Sequence, residues 1–368
     1  MSGDLERWIE RALRVQAVPA PTFGEAARAG LMREEFSAAG LADVEIDSTG
    51  NVYARLPGRG GRPVVVSAHL DSVFPPEAHV AARRAGNSLI GPGIGDNSIA
   101  LAALVEVGLL ASAGLAGDLW LVADVCEEGL GNLRGMNAVL ERFGEAPRAY
   151  VVLEGMSLGQ VYHRSLPSRR YRVSVSAPGG HSWLHAGRPS AVHALIRIGS
   201  ALLDIDLPQE PRASLNIGRM RGGIGVNTIA PEAQMEVDLR SESTEVLVAL
   251  AARVEEVVRA QPCLGASVDL QCVGERPGGA IPPDHPLVQA AIRALRIQAG
   301  IAARLEVGST DASLPLSRGL PAICLGLTFG CQAHTLDETI EIEPLGRGLA
   351  SLLSLLRAVF ELSDKRSD

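Results

Sequence analysis

Apolar residues recur along this chain at two spacings, and the change from one to the other marks its elements. Leu5, Trp8, Ile9, Ala12 and Leu13 share one face at helical period, with Asp4 placed to cap the helix. Continuous apolar runs at 64–68, 119–125 and 150–153 read as strands buried on both faces. Between the last two, Leu133, Met136, Leu140 and Phe143 form a helical stripe that stops before Gly144. Buried strands separated by helices predict a largely parallel sheet with helices on both faces. The apolar stretch 98–117 nears membrane-span length, but Glu106 interrupts it, and it reads as a buried helix of a soluble protein.

From 168 to 275 the rhythm changes. Tyr171, Val173 and Val175 alternate with polar residues as a half-buried strand, and Ala191, Leu195, Ile198 and Leu202 line a helix. A short strand at 214–217 and an alternating one through Ala233, Met235, Val237 and Leu239 follow. A helix through Leu247, Leu250, Val254 and Val257 leads to a last strand, Val268, Leu270 and Cys272. The order β-α-β-β-α-β is the ferredoxin-like arrangement, expected as an inserted α+β domain. After the proline-rich stretch 281–286 the first rhythm returns, with a helix through Ala291, Ile292 and Leu295, strands near 305–307 and 322–325, and a helix through Leu345, Leu349, Leu352 and Leu356. The expected organisation is a catalytic α/β domain with a mixed, mostly parallel sheet, built from 1–167 and 276–368, and an inserted domain at 168–275. Internal repeats and low-complexity tracts are absent from the sequence.

Composition narrows the chemistry. The length of 368 residues suits two domains. The net charge of −8 and the 4% aromatic content argue against nucleic acid as a partner. Lys365 in the final tail is the only lysine, which removes phosphate-loop, kinase and Schiff-base chemistries that need a positioned amine. Cys126, Cys263, Cys272, Cys324 and Cys331 show no CxxC spacing, and the opening MSGDLERWIE has no secretory pattern, so a cytoplasmic location is expected.

Possible metal ligands stand where predicted strands end. His69 and Asp71 close one strand, Glu127 and Glu128 another, Glu154 a third; Asp96 precedes a helix, and His334 follows the strand through Leu325. Ligands of open α/β sheets bind beyond the carboxyl ends of the strands, so these groups can converge. His, Asp and Glu without cysteine suit a catalytic divalent ion, zinc first and cobalt or manganese next. Asp96 can turn one oxygen to each of two ions about 3.5–4 Å apart, and two further carboxylates and two histidines complete the sets. That leaves Glu127 over, free to hold an attacking water.

Blander readings stand beside these. His69 or His334 alone reads as a core histidine, and Arg240 with Asp238 as a surface ion pair. GPGIGD lacks the third glycine of a nucleotide loop, because Asp96 occupies its place. His79, His163, His185, His193 and His285 read as structural or surface residues, and Cys126 as a packing residue.

Eight motifs in order carry a resemblance: HLD at 69–71, GIGDN at 93–97, EEG at 127–129, GGHSW at 179–183, GGIGVN at 222–227, DLRS at 238–241, STDA at 309–312 and HTLDE at 334–338. Together they resemble the dinuclear zinc metallopeptidase family of acetylornithine deacetylase, succinyl-diaminopimelate desuccinylase, aminoacylase, glutamate carboxypeptidase and peptidase T. The resemblance implies a metal-dependent amide hydrolase with two divalent ions per subunit, working as a homodimer through its inserted domain on small peptides or N-acyl amino acids. His69, Asp96 and Glu154 would hold one ion, and Asp96, Glu128 and His334 the other. Glu127 would be the general base, and Asp71 would orient His69. His181 would reach across the dimer to polarise the scissile carbonyl, and Asn227 and Arg240 would hold the substrate. Glu154 resembles the deacylases and carboxypeptidases, whereas the segment from Ser309 to Glu338 resembles peptidase T, so exopeptidase and deacylase both stay open. A metal-free binding relative would lack a ligand or the base, and here every one is present.

Overall fold

A computed structural model of the chain describes residues 2–111, 115–261 and 265–362; Cys263 and Lys365 lie outside the described residues. Two compact units are present, Met1–Ser165 with Gly279–Asp368, and Leu166–Gly278.

The first unit is organised by valine-rich strands that bury both faces. Val64, Val65 and Val66 in Gly61–His69 are fully enclosed, as are Leu119, Leu121 and Val122 in Gly117–Asp124 and Val151 to Leu153 in Ala149–Glu154. Such strands can sit only at the centre of a covered sheet. In spatial order the eight strands are Ala42–Ile46, Val52–Leu56, Gly117–Asp124, Gly61–His69, Ala149–Glu154, Ala322–Gly326, Gln160–Ser165 and Arg304–Gly308. The central four run parallel, so they all point their carboxyl ends the same way. Pairing is antiparallel at Ala42–Ile46 with Val52–Leu56, at Val52–Leu56 with Gly117–Asp124, and between Ala322–Gly326 and Gln160–Ser165.

Ile99–Leu110 is enclosed from Ile99 to Gly108, Glu106 included, and Glu106 accepts from the Arg11 guanidinium. Among the described residues no helix is long and apolar enough to cross a membrane. The first helix begins at Ser2, so Asp4 lies within its first turn rather than capping it and takes the Arg7 guanidinium instead. Burying the Glu106 carboxylate in an apolar helix is costly, and the Arg11 guanidinium that reaches it offsets that cost.

The second unit is a four-stranded antiparallel sheet in the order Ala213–Gly222, Glu232–Ser241, Ser168–Ser176, Ser267–Arg276. Ala191–Leu203 and Thr244–Ala260 pack on one face, against the inward row of Tyr171, Val173, Val175, Met235, Val237 and Leu239. Taken in chain order, the strands sit 4-1-3-2, the ferredoxin-like topology. Strand alternation makes the opposite face polar.

Candidate metal centre

The carboxyl ends of the central parallel strands deliver the chemistry. His69 is the last residue of Gly61–His69 and is enclosed; Glu154 is the last residue of Ala149–Glu154 and partly open. Asp96 lies in the Ile94–Ser98 turn, where it and Asn97 depart from helical dihedrals. Gly95 and Gly155 bring the Asp96 and Glu154 backbones together, since a Cβ on Gly155 would lie 2.0 Å from the Gly95 carbonyl oxygen. Asn97 Nδ2 donates to the Leu153 carbonyl at 2.8 Å and ties the same turn to the strand.

His69 Nδ1 lies 3.0 Å from the Asp71 carbonyl oxygen, which can only accept, so Nδ1 carries the hydrogen. In the neutral ring Nε2 is then a bare lone pair, yet it points at two more acceptors, Asp96 Oδ1 at 2.9 Å and Glu154 Oε2 at 3.7 Å. His334, at φ 64°, directs its Nε2 at Asp96 Oδ2 and Glu128 Oε1, both at 3.2 Å. Asp96 therefore offers one oxygen to each of two triads, His69–Asp96–Glu154 and Asp96–Glu128–His334, whose ligand atoms lie within 4.8 Å of one another. Acceptors facing acceptors are held together only by a cation or protons, and three carboxylates with two imidazoles match a pair of hard or borderline divalent ions. Glu127 also comes within that range of His69 and Glu128.

Electrostatics follow from this crowding. Burial pushes the Glu128 carboxyl up to about 7, and the neighbouring Asp96 charge adds to it. Burial likewise raises Glu154 to about 7. Burial would lower the His69 imidazole, but hydrogen bonds to Asp71, Asp96 and Glu154 outweigh it and hold the ring well above its ordinary value. Hydrogen bonds to Asp96 and Glu128 lift His334 to about 10. Asp96 goes the other way: burial opposes its ionisation, and the two histidines overcome that and depress its pKa.

Around the ligands lies a second set of groups. Asp71 is fully buried; its Oδ1 accepts the Glu127 N–H and its Oδ2 the Glu128 N–H, both at 2.9 Å, and Oδ2 also accepts from Thr22 Oγ1 at 2.8 Å. Its carboxylate stands 3.5 Å from His69 Nδ1, so its own carbonyl makes the shorter contact to that ring, and the carboxylate chiefly holds the glutamate pair. The strand ends at Asp124 and Cys126 has φ 61°, which frees Glu127 and Glu128 from strand alternation. Cys126 is more than packing: its thiol donates to Glu25 Oε1 at 3.4 Å.

Sequence reasoning gave no role to Glu338, Glu25, Asp124 or Asp311. Glu338 Oε1 accepts the Gly95 and Asp96 N–H groups at 2.7 and 2.8 Å and so fixes the Asp96 turn; its place in HTLDE, four residues after His334, was the available signal. Asp124 and Asp311 are fully buried beside one another, and burial raises both carboxyls, Asp124 to about 6. Asp311 had a signal in STDA; Asp124 had only its position within an apolar run.

The other three expected site residues belong to the second unit. His181 pairs with Thr228 in the short Gly180–His181 and Thr228–Ile229 ladder, and the Asn227 carbonyl accepts the Ser182 N–H at 3.0 Å, so the GGHSW and GGIGVN loops adjoin. His185, set apart as structural, has its Nδ1 on the His181 N–H at 2.9 Å. Arg240 stands near the far end of Glu232–Ser241, its Nε on Asp238 Oδ2 at 2.7 Å, while Arg170 takes Asp238 Oδ1 at 2.9 Å. Arg240 is thus not wholly free, because its Nε is committed to Asp238.

A mixed α/β sheet with carboxylates and histidines gathered at its carboxyl end, plus an inserted ferredoxin-like unit, defines a metallohydrolase of the dinuclear peptidase class. The chain belongs to peptidase family M20/M25/M40, whose sequence pattern matches residues 65–358. It is 29% identical over 323 residues to the N-acetyl-L-citrulline deacetylase of Xanthomonas campestris, covering 80% of this chain and 81% of that one. It is 27% identical over 325 residues to a putative succinyl-diaminopimelate desuccinylase of Mycobacterium tuberculosis, covering 85% and 86%. Among solved structures, the dipeptidase Dug1p of Saccharomyces cerevisiae shares the fold at a TM-score of 0.80 and 13% identity, covering 99% and 98%. The aminopeptidase PepT of Bacillus cereus does so at 0.72 and 21%, covering 96% and 98%.

Proposed function

We propose that the chain is a cytoplasmic, zinc-dependent hydrolase of amide bonds in small peptides, of exopeptidase or dipeptidase type. The observation that carries the reading is the division of Asp96 between His69 and His334, with Glu154 and Glu128 completing two sets of donors. His69, Asp96 and Glu154 would hold one ion, and Asp96, Glu128 and His334 the other, with cobalt or manganese as alternatives to zinc. Such ions, when bound, polarise the amide carbonyl and make water acidic near neutral pH. Both triads are complete without Glu127, so its carboxylate serves as the general base, taking the water proton and passing it to the leaving amine. Asp71 keeps that carboxylate aimed by holding the backbone on either side of it.

The second reading is an N-acyl amino acid deacylase with the same proton chemistry. It is favoured by the deacetylase and the desuccinylase, which align over four fifths or more of their own length.

The second unit supports a site shared between two copies. His181 and Asn227 adjoin near the Glu232 end of the Glu232–Ser241 strand, and Arg240 lies eight residues along it, roughly 25 Å away at strand rise. One small substrate cannot touch both ends of the same unit. We assign Arg240 to the substrate carboxylate and His181 and Asn227 to the scissile end of the substrate, the two ends being supplied by different copies in a homodimer.

The test is a panel of dipeptides and N-acetyl amino acids assayed with zinc, cobalt and manganese, together with Glu127→Gln. That variant should keep both ions by mass spectrometry and lose about 10²–10⁴-fold in kcat, the range for a missing acid–base group. Normal turnover in it removes Glu127 from the reaction.

A further inference from the structure

Beyond Asp124 the Gly117–Asp124 strand has no ladder to continue, and the chain carries four backbone N–H groups, Val125 to Glu128, through buried space. Each meets a side-chain acceptor brought from elsewhere in sequence. Asn51 Oδ1 takes the Val125 N–H at 3.0 Å, Glu25 Oε1 takes that of Cys126 at 3.1 Å, and Asp71 takes the next two at 2.9 Å. Glu25 occupies the N-cap position of Ala26–Ala38, yet its side chain makes no cap bond there. Its side chain is 5% exposed and turns away from its own helix, collecting the Phe23 N–H at 3.0 Å and the Cys126 thiol at 3.4 Å as well. An acceptor at a helix start ordinarily serves that helix's free N–H groups; this one serves a turn 101 residues away. The residue it grips, Cys126, is in the left-handed region that a side chain with Cβ rarely adopts, and the next two residues are Glu127 and Glu128.

We infer that Glu25 is a positioning residue: by holding the amide and thiol of Cys126 it fixes the left-handed turn that aims Glu127 and Glu128. Its effect on catalysis rests on the hydrolase reading above; the clamp itself does not. Glu25→Gln keeps an oxygen where Oε1 stands. Glu25→Asp keeps the charge but withdraws the acceptor by about 1.5 Å, one bond length, and Glu25→Ala removes it.

The experiment compares the three full-length variants with the wild type by three readouts. These are zinc affinity in competition with a fluorescent chelator, amide hydrogen exchange of the zinc-free protein in the peptide spanning 125–131, and kcat and KM on glycyl-leucine and N-acetylleucine. Glu25→Asp and Glu25→Ala should bind zinc about 10–100-fold more weakly, the range for groups that orient ligands. They should exchange the turn amides at least about tenfold faster and lose kcat with KM nearly unchanged, while Glu25→Gln stays within about threefold of wild type. If Glu25→Ala does not fold, the contrast between Glu25→Asp and Glu25→Gln decides. Wild-type behaviour of Glu25→Asp in the exchange and zinc measurements overturns the inference, and so does equal impairment of Glu25→Gln. A wild type that neither binds zinc nor cleaves either probe sinks the hydrolase reading, and the exchange contrast alone then decides the clamp.

Discussion

Asp71→Asn is the substitution whose consequence the geometry defines most sharply. Both Asp71 oxygens are acceptors in use: Oδ1 for the Glu127 N–H, Oδ2 for the Glu128 N–H and the Thr22 hydroxyl. Asparagine has one acceptor and one NH2 group, so whichever way the amide turns, one backbone N–H faces a donor. The Thr22 hydroxyl can rotate to accept, but a backbone N–H cannot. The loss is one hydrogen bond to a charged, fully buried acceptor, about 1.5–3 kcal/mol.

At about 2–4 °C per kcal/mol for bodies of 150–250 residues, that loss lowers Tm by roughly 3–12 °C. The measurement is thermal unfolding with excess chelator, so that metal binding does not enter. Thr22→Val is the control: it removes one donor to the same carboxylate but leaves no buried backbone N–H facing a donor, so it should lower Tm less than Asp71→Asn. In the metal-loaded protein Asp71→Asn should lower kcat/KM by about 10–100-fold, since the freed turn carries both glutamates. A Tm within 1 °C of wild type, as a rough threshold, together with unchanged kcat/KM, would refute the claim that Asp71 holds the Glu127–Glu128 turn.

Further outcomes follow from the same site. Glu128 and Glu154 have folded-state pKa values raised to about 7 and His334 to about 10, so the folded chain binds these protons more tightly than the unfolded one. The stability they contribute is fully present below about pH 4.5 for the carboxyls and 6.5 for the imidazole, and is lost as pH rises through about 7 and about 10. The depressed Asp96 is ionised throughout that window and adds no slope. Melting of the chelated protein should therefore fall between pH 5 and 9, while the gain in Tm on adding zinc should grow; a flat profile contradicts the assignment. Glu154→Ala and His334→Ala should each leave about one ion per chain and Asp96→Ala neither, by mass spectrometry; retention of two ions in Asp96→Ala would end its bridging role. His181→Ala and Glu127→Gln should each be inactive alone and regain up to about a quarter of wild-type turnover when unfolded together and reassociated. No recovery counts against a site shared between subunits.

The ligands were legible because a parallel sheet imposes a direction. A polar residue that ends an apolar run has to sit at the carboxyl edge, and His69, Glu128 and Glu154 announce themselves this way. The antiparallel pair Ala42–Ile46 and Val52–Leu56 was not legible. Its outer strand alternates only weakly, with Glu45 and Ile46 both exposed, so no period stands out. Nor were Glu25 and Thr22, because what they bond is a backbone N–H and the carboxylate that grips the adjoining amides. Backbone donors look the same at every residue and leave no trace in the pattern of side chains. The split of Asp96 between two histidines was expected from its motif, but the glycine contact that permits it, Gly95 against Gly155, becomes visible only when two loops meet.

The site is therefore built in two layers that answer different physical problems. The inner groups repel: Asp96, Glu128 and Glu154 converge with Glu127 close by, and burial raises the pKa of Glu128 and Glu154 to about 7. A cluster of this kind cannot stabilise the fold by itself. The outer groups bond to the backbone that bears the inner ones: Asp71 to Glu127 and Glu128, Glu338 to Gly95 and Asp96, Glu25 to Cys126, Asn51 to Val125. Because those bonds end on main-chain N–H groups, they hold the ligand geometry without occupying the ligand oxygens of Glu128 and Glu154, which stay available to cations. Metal affinity and fold stability are then separable: changing an outer group moves both, whereas exchanging Glu154 for a neutral side chain should weaken metal binding while relieving repulsion in the chelated protein.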